Sequence, residues 1–359
     1  MAELQINQVS KMYQKNEGYV LRSVDLTIRS GEMFFLLGPS GCGKSTLLRM
    51  IAGLIMPSEG RILLDGKDIT DLPPEKRNTP MVFQSYALWP HLDVYENIAF
   101  GLKQLKLSSG KIRDRVERML KIVQLQDCIH RKVTSLSGGQ QQRIALARAL
   151  ALDPQVILLD EPLSNLDAKL RDSMRLEIRR ICKEQGLTAV YVTHDRKEAL
   201  SMADRLAVLH QGNLQQSGTP RELYLHPVNR FTASFLGDAN MLDGEVISED
   251  SESVLFRTGI GNLQMQKDQN YDLHSSYAAG SKYTLMFRPE TVIFCSQPSE
   301  KNCFKAQILE NSYLGESSSR TMQIGGFSFF ANEFAAPERA VGSMENIVIP
   351  PERIVALSC

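Results

Sequence analysis

The sequence predicts an α/β domain with a mainly parallel sheet, followed by a smaller all-β domain. Apolar strand-like runs alternate with helical patterns on both sides of a central helical stretch, which is typical of a parallel sheet. After Gly237 the chain consists of short β-like runs broken by Gly, Ser, Asp and Asn, with almost no helical period. We therefore predict an N-terminal domain at 1–236 and a C-terminal domain at 240–359.

The first elements are strands. Apolar and polar residues alternate in Leu4-Gln5-Ile6 and in Val24-Asp25-Leu26-Thr27-Ile28. Ser30-Gly31 forms a turn into the wholly apolar strand Met33–Leu37. A hairpin is predicted around residues 60–66, where Asp65-Gly66 is a favoured turn pair.

A phosphate-binding loop follows the apolar strand and precedes a helical pattern. Its sequence matches G-x-x-x-x-G-K-[ST] in full and reads Gly38-Pro39-Ser40-Gly41-Cys42-Gly43-Lys44-Ser45-Thr46. The backbone N–H groups of such a loop point at phosphates, and its glycines allow a close approach. Lys44 can reach the β- and γ-phosphates, and the Ser45 hydroxyl can ligate Mg²⁺. This predicts an α/β P-loop NTPase that uses ATP and Mg²⁺.

A helical subdomain is predicted at about residues 88–152, ending before Asp153-Pro154. One of its helices begins at Ser137-Gly138-Gly139-Gln140, where Ser137 and Gln140 fit a capping box. Two glycines in the first turn cost helix stability, by about 1 kcal/mol each relative to Ala. They are favourable where a phosphate must approach the positive end of the helix dipole.

Two carboxylates end the apolar strand Val156-Ile157-Leu158-Leu159. In P-loop ATPases the first carboxylate at this place holds Mg²⁺, which predicts that role for Asp160. The second can orient and deprotonate the attacking water, so we predict Glu161 as the general base. The alternative is that these two carboxylates only mark the solvent-exposed end of a strand. The phosphate-binding loop in the same chain argues against that interpretation.

Composition limits the classes of function. The chain has 41 basic residues (Lys and Arg) and 41 acidic residues (Asp and Glu). The region from Asn240 onward has 9 basic and 15 acidic residues, and this acidic balance argues against a nucleic-acid partner. No apolar run approaches the ~18 residues of a membrane span, and the N-terminus lacks a signal-peptide layout. Six scattered cysteines predict free thiols in a reducing compartment. A cytoplasmic protein is expected.

Three further motifs complete an ordered set along the chain: Val82-Phe83-Gln84-Ser85-Tyr86, Ser164-Asn165-Leu166-Asp167 and Tyr191-Val192-Thr193-His194-Asp195. With the phosphate loop, Ser137–Gln140 and Asp160-Glu161, the chain resembles the ATP-binding subunits of ABC transporters. The resemblance is strong from Leu4 to Leu236 and weaker to the C-terminus.

The resemblance implies roles for individual residues. His194 contacts the γ-phosphate, Gln84 reaches Mg²⁺ and couples to the membrane partner, and Asp167 links two sites across a dimer. Ser137 and Gly139 of one chain contact ATP held by a second copy, so that a homodimer forms two composite sites. Tyr13 matches the aromatic that stacks on adenine, although a core aromatic is the alternative. Trp89, after Gln84, is either a core residue or an interface anchor.

The C-terminal pieces Phe287-Arg288-Pro289-Glu290 and Tyr313-Leu314-Gly315 resemble the small OB-like β-barrels appended to some ABC importer ATPases. They imply a regulatory domain. Thr219-Pro220-Arg221-Glu222 is a capping box that predicts one helix running towards Phe235.

Taken together, the resemblance implies the peripheral ATPase of an importer at the cytoplasmic face of the membrane. Its partners would be a second copy, two integral permease subunits and, indirectly, an extracytoplasmic binding protein. Ferric iron or a polyamine is the favoured cargo. The alternatives are a soluble ABC ATPase and an exporter ATPase.

Overall fold

The computed structural model describes residues 2–14, 18–268, 276–296 and 301–358. The chain divides into two structural units, Met1–Pro220 and Arg221–Cys359. The division thus lies at the start of the helical segment that the sequence places at the end of the N-terminal domain.

The first unit contains a six-stranded sheet in the order β10-β9-β3-β8-β7-β6. All neighbouring pairs are parallel except β10 with β9. Strands β3, β7 and β8 are buried at every residue, which explains the wholly apolar sequence of β3 and the mainly apolar sequences of β7 and β8. The strands are β3 (Met33–Leu37), β6 (Met81–Val82), β7 (Val156–Asp160), β8 (Thr188–Thr193), β9 (Arg205–His210) and β10 (Asn213–Gly218).

A second, antiparallel sheet has the order β2-β1-β4-β5. The predicted Asp65-Gly66 turn joins β4 to β5, and both residues have positive φ, 49° and 74°, as a type I′ turn requires. One hydrophobic core contains residues from both sheets of this unit and from the helix after the phosphate loop. The strands are β1 (Leu4–Met12), β2 (Tyr19–Ile28), β4 (Glu59–Leu64) and β5 (Lys67–Asp68).

Within the described residues of the first unit, the α-helices are α1 (Lys44–Ile51), α2 (Val94–Gln104), α3 (Ser109–Ile122), α4 (Gly138–Leu150), α5 (Ala168–Glu184) and α6 (Arg196–Met202). Helices α2, α3 and α4 contact one another in the region where the sequence predicts a helical subdomain. The capping box predicted for Ser137 and Gln140 is present at the start of α4. A second capping box, Asp93 with Glu96, begins α2.

In the part of the second unit that the structure describes, strands predominate, and two short α-helices precede them, α7 (Pro220–Leu225) and α8 (Arg230–Leu236). The sequence predicted one continuous helix here. The structure has two because Pro227 lies between them, where it lacks a backbone N–H and restricts the preceding residue. Asn229 then caps α8 by accepting the Thr232 N–H at 2.8 Å.

The predicted fold class, an α/β P-loop domain followed by an all-β domain, is confirmed by two five-stranded antiparallel sheets in the second unit. Their orders are β13-β12-β11-β14-β20 and β15-β19-β16-β17-β18, and one hydrophobic core contains buried residues of both. The strands are β11 (Asn240–Glu249), β12 (Ser253–Thr258), β13 (Gly261–Gln266), β14 (Lys282–Phe287), β15 (Ile293–Cys295), β16 (Cys303–Tyr313), β17 (Ser317–Ile324), β18 (Phe327–Phe334), β19 (Met344–Val348) and β20 (Val355–Ser358).

The Arg288 side chain binds α7 and α8 to the strands of the second unit. Its buried guanidinium donates to the carbonyls of Tyr224 (2.9 Å), Ala233 (2.8 Å), Gly237 (3.1 Å) and Asp238 (3.0 Å). The guanidinium also lies 4.1 Å from the Tyr224 ring centroid. The motif around Arg288, noted in the sequence as part of the β domain, therefore fastens both helices to β14.

Replacing Arg288 with Met is expected to lower the free energy of unfolding of the second unit by about 3 kcal/mol, because several buried carbonyls would lose their donor. Urea unfolding of the full chain, followed by near-ultraviolet circular dichroism, would measure the change. Arg257→Met is the matched control, since Arg257 is exposed on β12. Equal midpoints for the two variants would contradict this role.

Candidate nucleotide-binding and hydrolysis site

The phosphate loop lies between the end of β3 and the start of α1, as predicted. Two of its glycines are required by their surroundings as well as by their conformation. A Cβ on Gly38 (φ 159°) would lie 2.3 Å from the Leu209 carbonyl oxygen, and one on Gly43 (φ 102°) would lie 2.5 Å from the Leu21 side chain. The loop backbone at these two glycines therefore packs directly against residues of neighbouring strands.

The Lys44 ammonium is held over the phosphate loop. Its Nζ donates to the carbonyls of Gly38 at 2.7 Å and Pro39 at 2.8 Å, and it lies 3.8 Å from Cys42 Sγ. Lys44 is only 5% exposed, so its positive charge is concentrated at the loop rather than dispersed in solvent. Such a fixed cation suits a phosphate group.

Ser45 and Asp160 come together although 115 positions separate them. The Ser45 hydroxyl donates to Asp160 Oδ1 at 2.8 Å, which joins the start of α1 to the end of β7. Burial raises the pKa of Asp160, while the hydrogen bond from Ser45 opposes that rise. A hydroxyl and a partly desolvated carboxylate beside the loop are ligands that fit Mg²⁺, directly or through water.

Glu161 and His194 form a second pair. Glu161 Oε2 lies 3.1 Å from His194 Nδ1. The N–H of Glu161 donates to the Val192 carbonyl of β8 at 3.0 Å, and its positive φ of 47° lies directly after the last residue of β7. A carboxylate held by a histidine can accept a proton from water while the imidazole fixes its orientation.

A pocket of about 210 Å³ opens beside this pair. Of its lining residues, only Glu161 and His194 were predicted as site residues, and Glu198 and Asp195 are two further carboxylates. Glu198 accepts a hydrogen bond from the Tyr191 hydroxyl at 3.1 Å, and burial raises its pKa. Asp195 accepts from Arg175 at 2.9 Å, an ion pair that ties the His194 segment to α5. The lining residues are Glu161, Ser164, Arg171, Thr193, His194, Asp195 and Glu198.

Gln84 is exposed, and its backbone is attached to the segment that follows Glu161. The Asn165 side-chain amide donates to the Gln84 carbonyl at 2.9 Å.

Tyr13 lies beside the phosphate loop, with its hydroxyl 3.3 Å from the Thr46 hydroxyl and its ring 52% exposed. Lys11 Nζ lies 5.3 Å from the Tyr13 ring centroid. This environment is not that of a core aromatic.

Ser137, Gly139 and Asp167 lie together, apart from the phosphate loop. Asp167 caps α5 by accepting the Leu170 N–H at 2.9 Å, and a Cβ on Gly139 would lie 3.1 Å from the Leu170 side chain. Among the residues that the structure describes, no hydrogen bond or ion pair joins Ser137 or Gly139 to the loop at 38–46. The start of α4 and the phosphate loop are therefore described as two groups of residues.

Comparison with known proteins identifies the family. A family model described as ABC transporter matches residues 21–164. The spermidine/putrescine import ATP-binding protein PotA of Roseobacter denitrificans is 47% identical over 82% of this chain and 80% of its own length. The chain belongs to the ATP-binding subunits of ABC importers. Its relatives include the Fe(3+) ions import ATP-binding protein FbpC of Vibrio cholerae, 44% identical over 86% of this chain and 84% of that protein.

Solved structures of this family resemble the chain. One of them is the ATP-binding cassette MJ0796, solved as a dimer in a post-hydrolysis state bound to ADP and Pi. It is 35% identical to this chain with a TM-score of 0.54, and the match covers 61% of this chain and 99% of the MJ0796 chain. As an ABC importer ATP-binding subunit, this chain hydrolyses ATP to drive transport. None of the helices in its described residues has the length and apolarity to cross a membrane.

Proposed function

We propose that the chain energises the import of a polyamine such as spermidine or putrescine, with ferric iron as the second candidate. The relatives support this order: PotG of Escherichia coli, named a putrescine transport ATP-binding protein, is 45% identical over 87% of this chain and 82% of its own length. The printed names of these relatives also favour import over the two alternatives, an exporter ATPase and a soluble ABC ATPase. Separate permease subunits would carry the cargo.

The proposed chemistry assigns binding of ATP to the phosphate loop. Lys44 neutralises charge on the β- and γ-phosphates, and the backbone N–H groups of the loop hold the remaining oxygens. Ser45, Asp160 and Gln84 would hold Mg²⁺, which would supply positive charge against the phosphates of ATP. Tyr13 would stack on adenine, since its ring is exposed beside Thr46.

Glu161 is the proposed general base. It orients the attacking water and accepts its proton at Oε2 or Oε1, while His194 contacts the γ-phosphate and holds the carboxylate through the 3.1 Å pair. The link of Gln84 to Asn165 places the Gln84 segment next to the chain that follows Glu161. This connection would bring Gln84 to the metal when the site assembles.

A second copy would complete each site. Ser137 and Gly139 at the N-terminus of α4 would bind the γ-phosphate held by the partner's loop, because the positive end of a helix dipole favours an anion. Asp167, which caps the adjacent α5, would link the two sites. The homodimer would act on two permease subunits at the cytoplasmic face of the membrane, with an extracytoplasmic binding protein delivering the cargo.

Uptake measurements test the cargo. Cells expressing the chain as their only copy should accumulate radiolabelled spermidine, and cells expressing only the Glu161→Gln variant should not, because the permease would lack its energy source. Ferric iron uptake is measured in the same two strains. Loss of iron uptake alone would reassign the cargo to iron, and unchanged uptake of both would contradict the proposal.

A further inference from the structure

Arg148, in the last turn of α4, contacts the segment that follows Gln84. Its Nη1 donates to the Ala87 carbonyl at 2.7 Å and its Nη2 to the Tyr86 carbonyl at 2.9 Å. Its guanidinium carbon also lies 4.9 Å from the centroid of the Trp89 ring. Three residues of one short segment are thus held by a single side chain 59 or more positions away in the sequence.

The backbone of this segment adopts a conformation that needs support. Tyr86 has φ 61° and Ala87 has φ 47°, values in the left-handed region that residues with a Cβ rarely adopt. Such conformations persist where surrounding contacts fix them. The planar guanidinium presents two parallel donors, which fit two consecutive carbonyls in a way that a lysine ammonium does not.

Trp89 fixes the other side of the segment to α2. Its ring centroid lies 4.1 Å from that of Phe100, and its backbone N–H donates to the buried Asn97 side chain at 2.9 Å. The half-buried indole therefore lies between α2 and the Arg148 guanidinium. Of the two roles that the sequence left open for Trp89, the structure shows packing within the helical region.

Gln84 lies between two anchors. On one side, its own carbonyl accepts from Asn165, in the segment that follows Glu161. On the other side, Arg148 holds Tyr86 and Ala87. Arg148 lies at the C-terminal end of α4, and Ser137 and Gly139 lie at its N-terminal end. Because a 13-residue helix is a rod about 20 Å long, a displacement at one end is transmitted to the other.

We propose that Arg148 is a positioning residue that couples the Gln84 segment to α4, so that nucleotide contact at Gln84 and placement of Ser137 and Gly139 against a partner change together. This inference rests on the roles proposed above for Gln84 and for the α4 N-terminus. Arg148 itself does not touch the nucleotide. Its effect is on the geometry of two groups that do.

The test uses the full-length chain and Trp89, the only tryptophan in the sequence, as an internal reporter. Arg148→Lys keeps the charge and removes the two-carbonyl fork, and Arg148→Met also removes the charge. Arg143→Lys is the matched control, because Arg143 lies on the same helix and donates to the Val123 carbonyl at 3.3 Å, away from the Gln84 segment. Mg-ATP binding is measured by equilibrium dialysis, turnover by phosphate release, and indole emission with and without Mg-ATP.

In the wild type and in Arg143→Lys, we expect Trp89 emission to change on addition of Mg-ATP, with a midpoint equal to the dissociation constant from dialysis. In Arg148→Lys, emission should be red-shifted before nucleotide is added and should no longer respond. Turnover should fall about tenfold or more while KM for ATP changes less than about threefold, since a misplaced group affects the chemical step more than binding. Arg148→Met should show the same pattern more strongly.

Two results for Arg148→Lys would overturn the coupling: wild-type turnover with a retained emission response, or a loss of ATP affinity that accounts for the whole loss of turnover. The second would mean that Arg148 only stabilises the fold. Since Arg148→Met may unfold, its thermal midpoint is measured alongside, and the decision is made on Arg148→Lys. Failure of the wild-type chain to bind Mg-ATP would contradict the proposed function itself, whereas wild-type binding with an unaltered Arg148→Lys would contradict the coupling alone.

Discussion

Replacing Glu161 with Gln is expected to reduce ATP turnover by about 10²–10⁴-fold, because the amide keeps the shape of the side chain but cannot accept the proton of the attacking water. Binding of Mg-ATP should persist, since Lys44 and the Ser45–Asp160 pair are untouched. ATP-bound dimers should therefore accumulate. Phosphate release under saturating Mg-ATP measures the first effect, and analytical sedimentation with ATP measures the second.

Glu117→Gln is the control for this experiment. Glu117 is an exposed carboxylate on α3 that pairs with Arg113 at 2.9 Å, so its replacement removes the same charge without affecting the site. It should retain wild-type turnover. Turnover of Glu161→Gln near that of Glu117→Gln would show that Glu161 is not the base, and His194 or another pocket residue would have to be tested in its place.

The phosphate loop and the two carboxylates after β7 could be predicted because their signals are local. A glycine pattern followed by Lys44-Ser45 specifies a conformation within nine residues. The wholly apolar strand before Asp160 predicts burial, and the carboxyl end of a parallel strand is where ligands approach. The hydrogen bond between Ser45 and Asp160 follows from the fold, because β3 and β7 both flank β8 in the same sheet.

Long arginine side chains that bind distant carbonyls could not be predicted. Arg77 is 1% exposed and donates to the Met50 carbonyl at 2.6 Å, the Ile51 carbonyl at 3.1 Å and the Leu72 carbonyl at 2.6 Å. In the sequence, Arg77 lies in a polar stretch that resembles a solvated loop. Backbone carbonyls are present at every position, so no residue type marks them as partners of Arg77, Arg148 or Arg288. Such contacts become visible only when tertiary packing brings a specific helix end or strained turn within reach.

The same reasoning applies to the ion pair between Asp195 and Arg175. In the sequence, Asp195 is marked only as the residue that follows His194 in a motif, and in the structure it caps α6 by accepting the Lys197 N–H at 2.7 Å. The ion pair depends on the rotation of α5 about its axis, which brings Arg175 to 2.9 Å and Arg171 to 4.0 Å from the Asp195 carboxylate. The helical period of α5 predicts a charged face without indicating which charge meets which partner.

Replacing Gly139 with Asp is expected to lower turnover by about 10²-fold or more while each chain still binds Mg-ATP in its own phosphate loop. The new carboxylate would lie in the first turn of α4, where it would repel the γ-phosphate of a partner and occupy the positive end of the dipole. Gly139 is buried, and a Cβ there would lie 3.1 Å from the flexible Leu170 side chain, which must shift by a few tenths of an ångström to admit it. Dialysis with labelled ATP and phosphate release separate binding from turnover.

Gly110→Asp is the matched control, since Gly110 lies at the equivalent position in the first turn of α3 and a Cβ there would have no neighbour within 4 Å. It introduces the same charge at a helix N-terminus with no proposed role, and wild-type turnover is expected. Equal losses of turnover in the two variants would mean that the effect on α4 is one of net charge or stability rather than of a phosphate contact.

Mixing two inactive chains then tests whether the site is shared between copies. Lys44→Ala removes the cation of the phosphate loop, and Gly139→Asp damages the surface that the partner contributes. A mixed dimer places both defects in one site and leaves the other site with an intact loop and an intact α4 N-terminus. Activity should therefore reappear on mixing if one intact site is sufficient for turnover.

The dependence of turnover on chain concentration gives the decisive measurement. Turnover per wild-type chain should rise with concentration below the dimer dissociation constant, because the phosphate loop and the α4 N-terminus act across the dimer. A concentration-independent rate from chains that sediment as monomers would exclude a composite site.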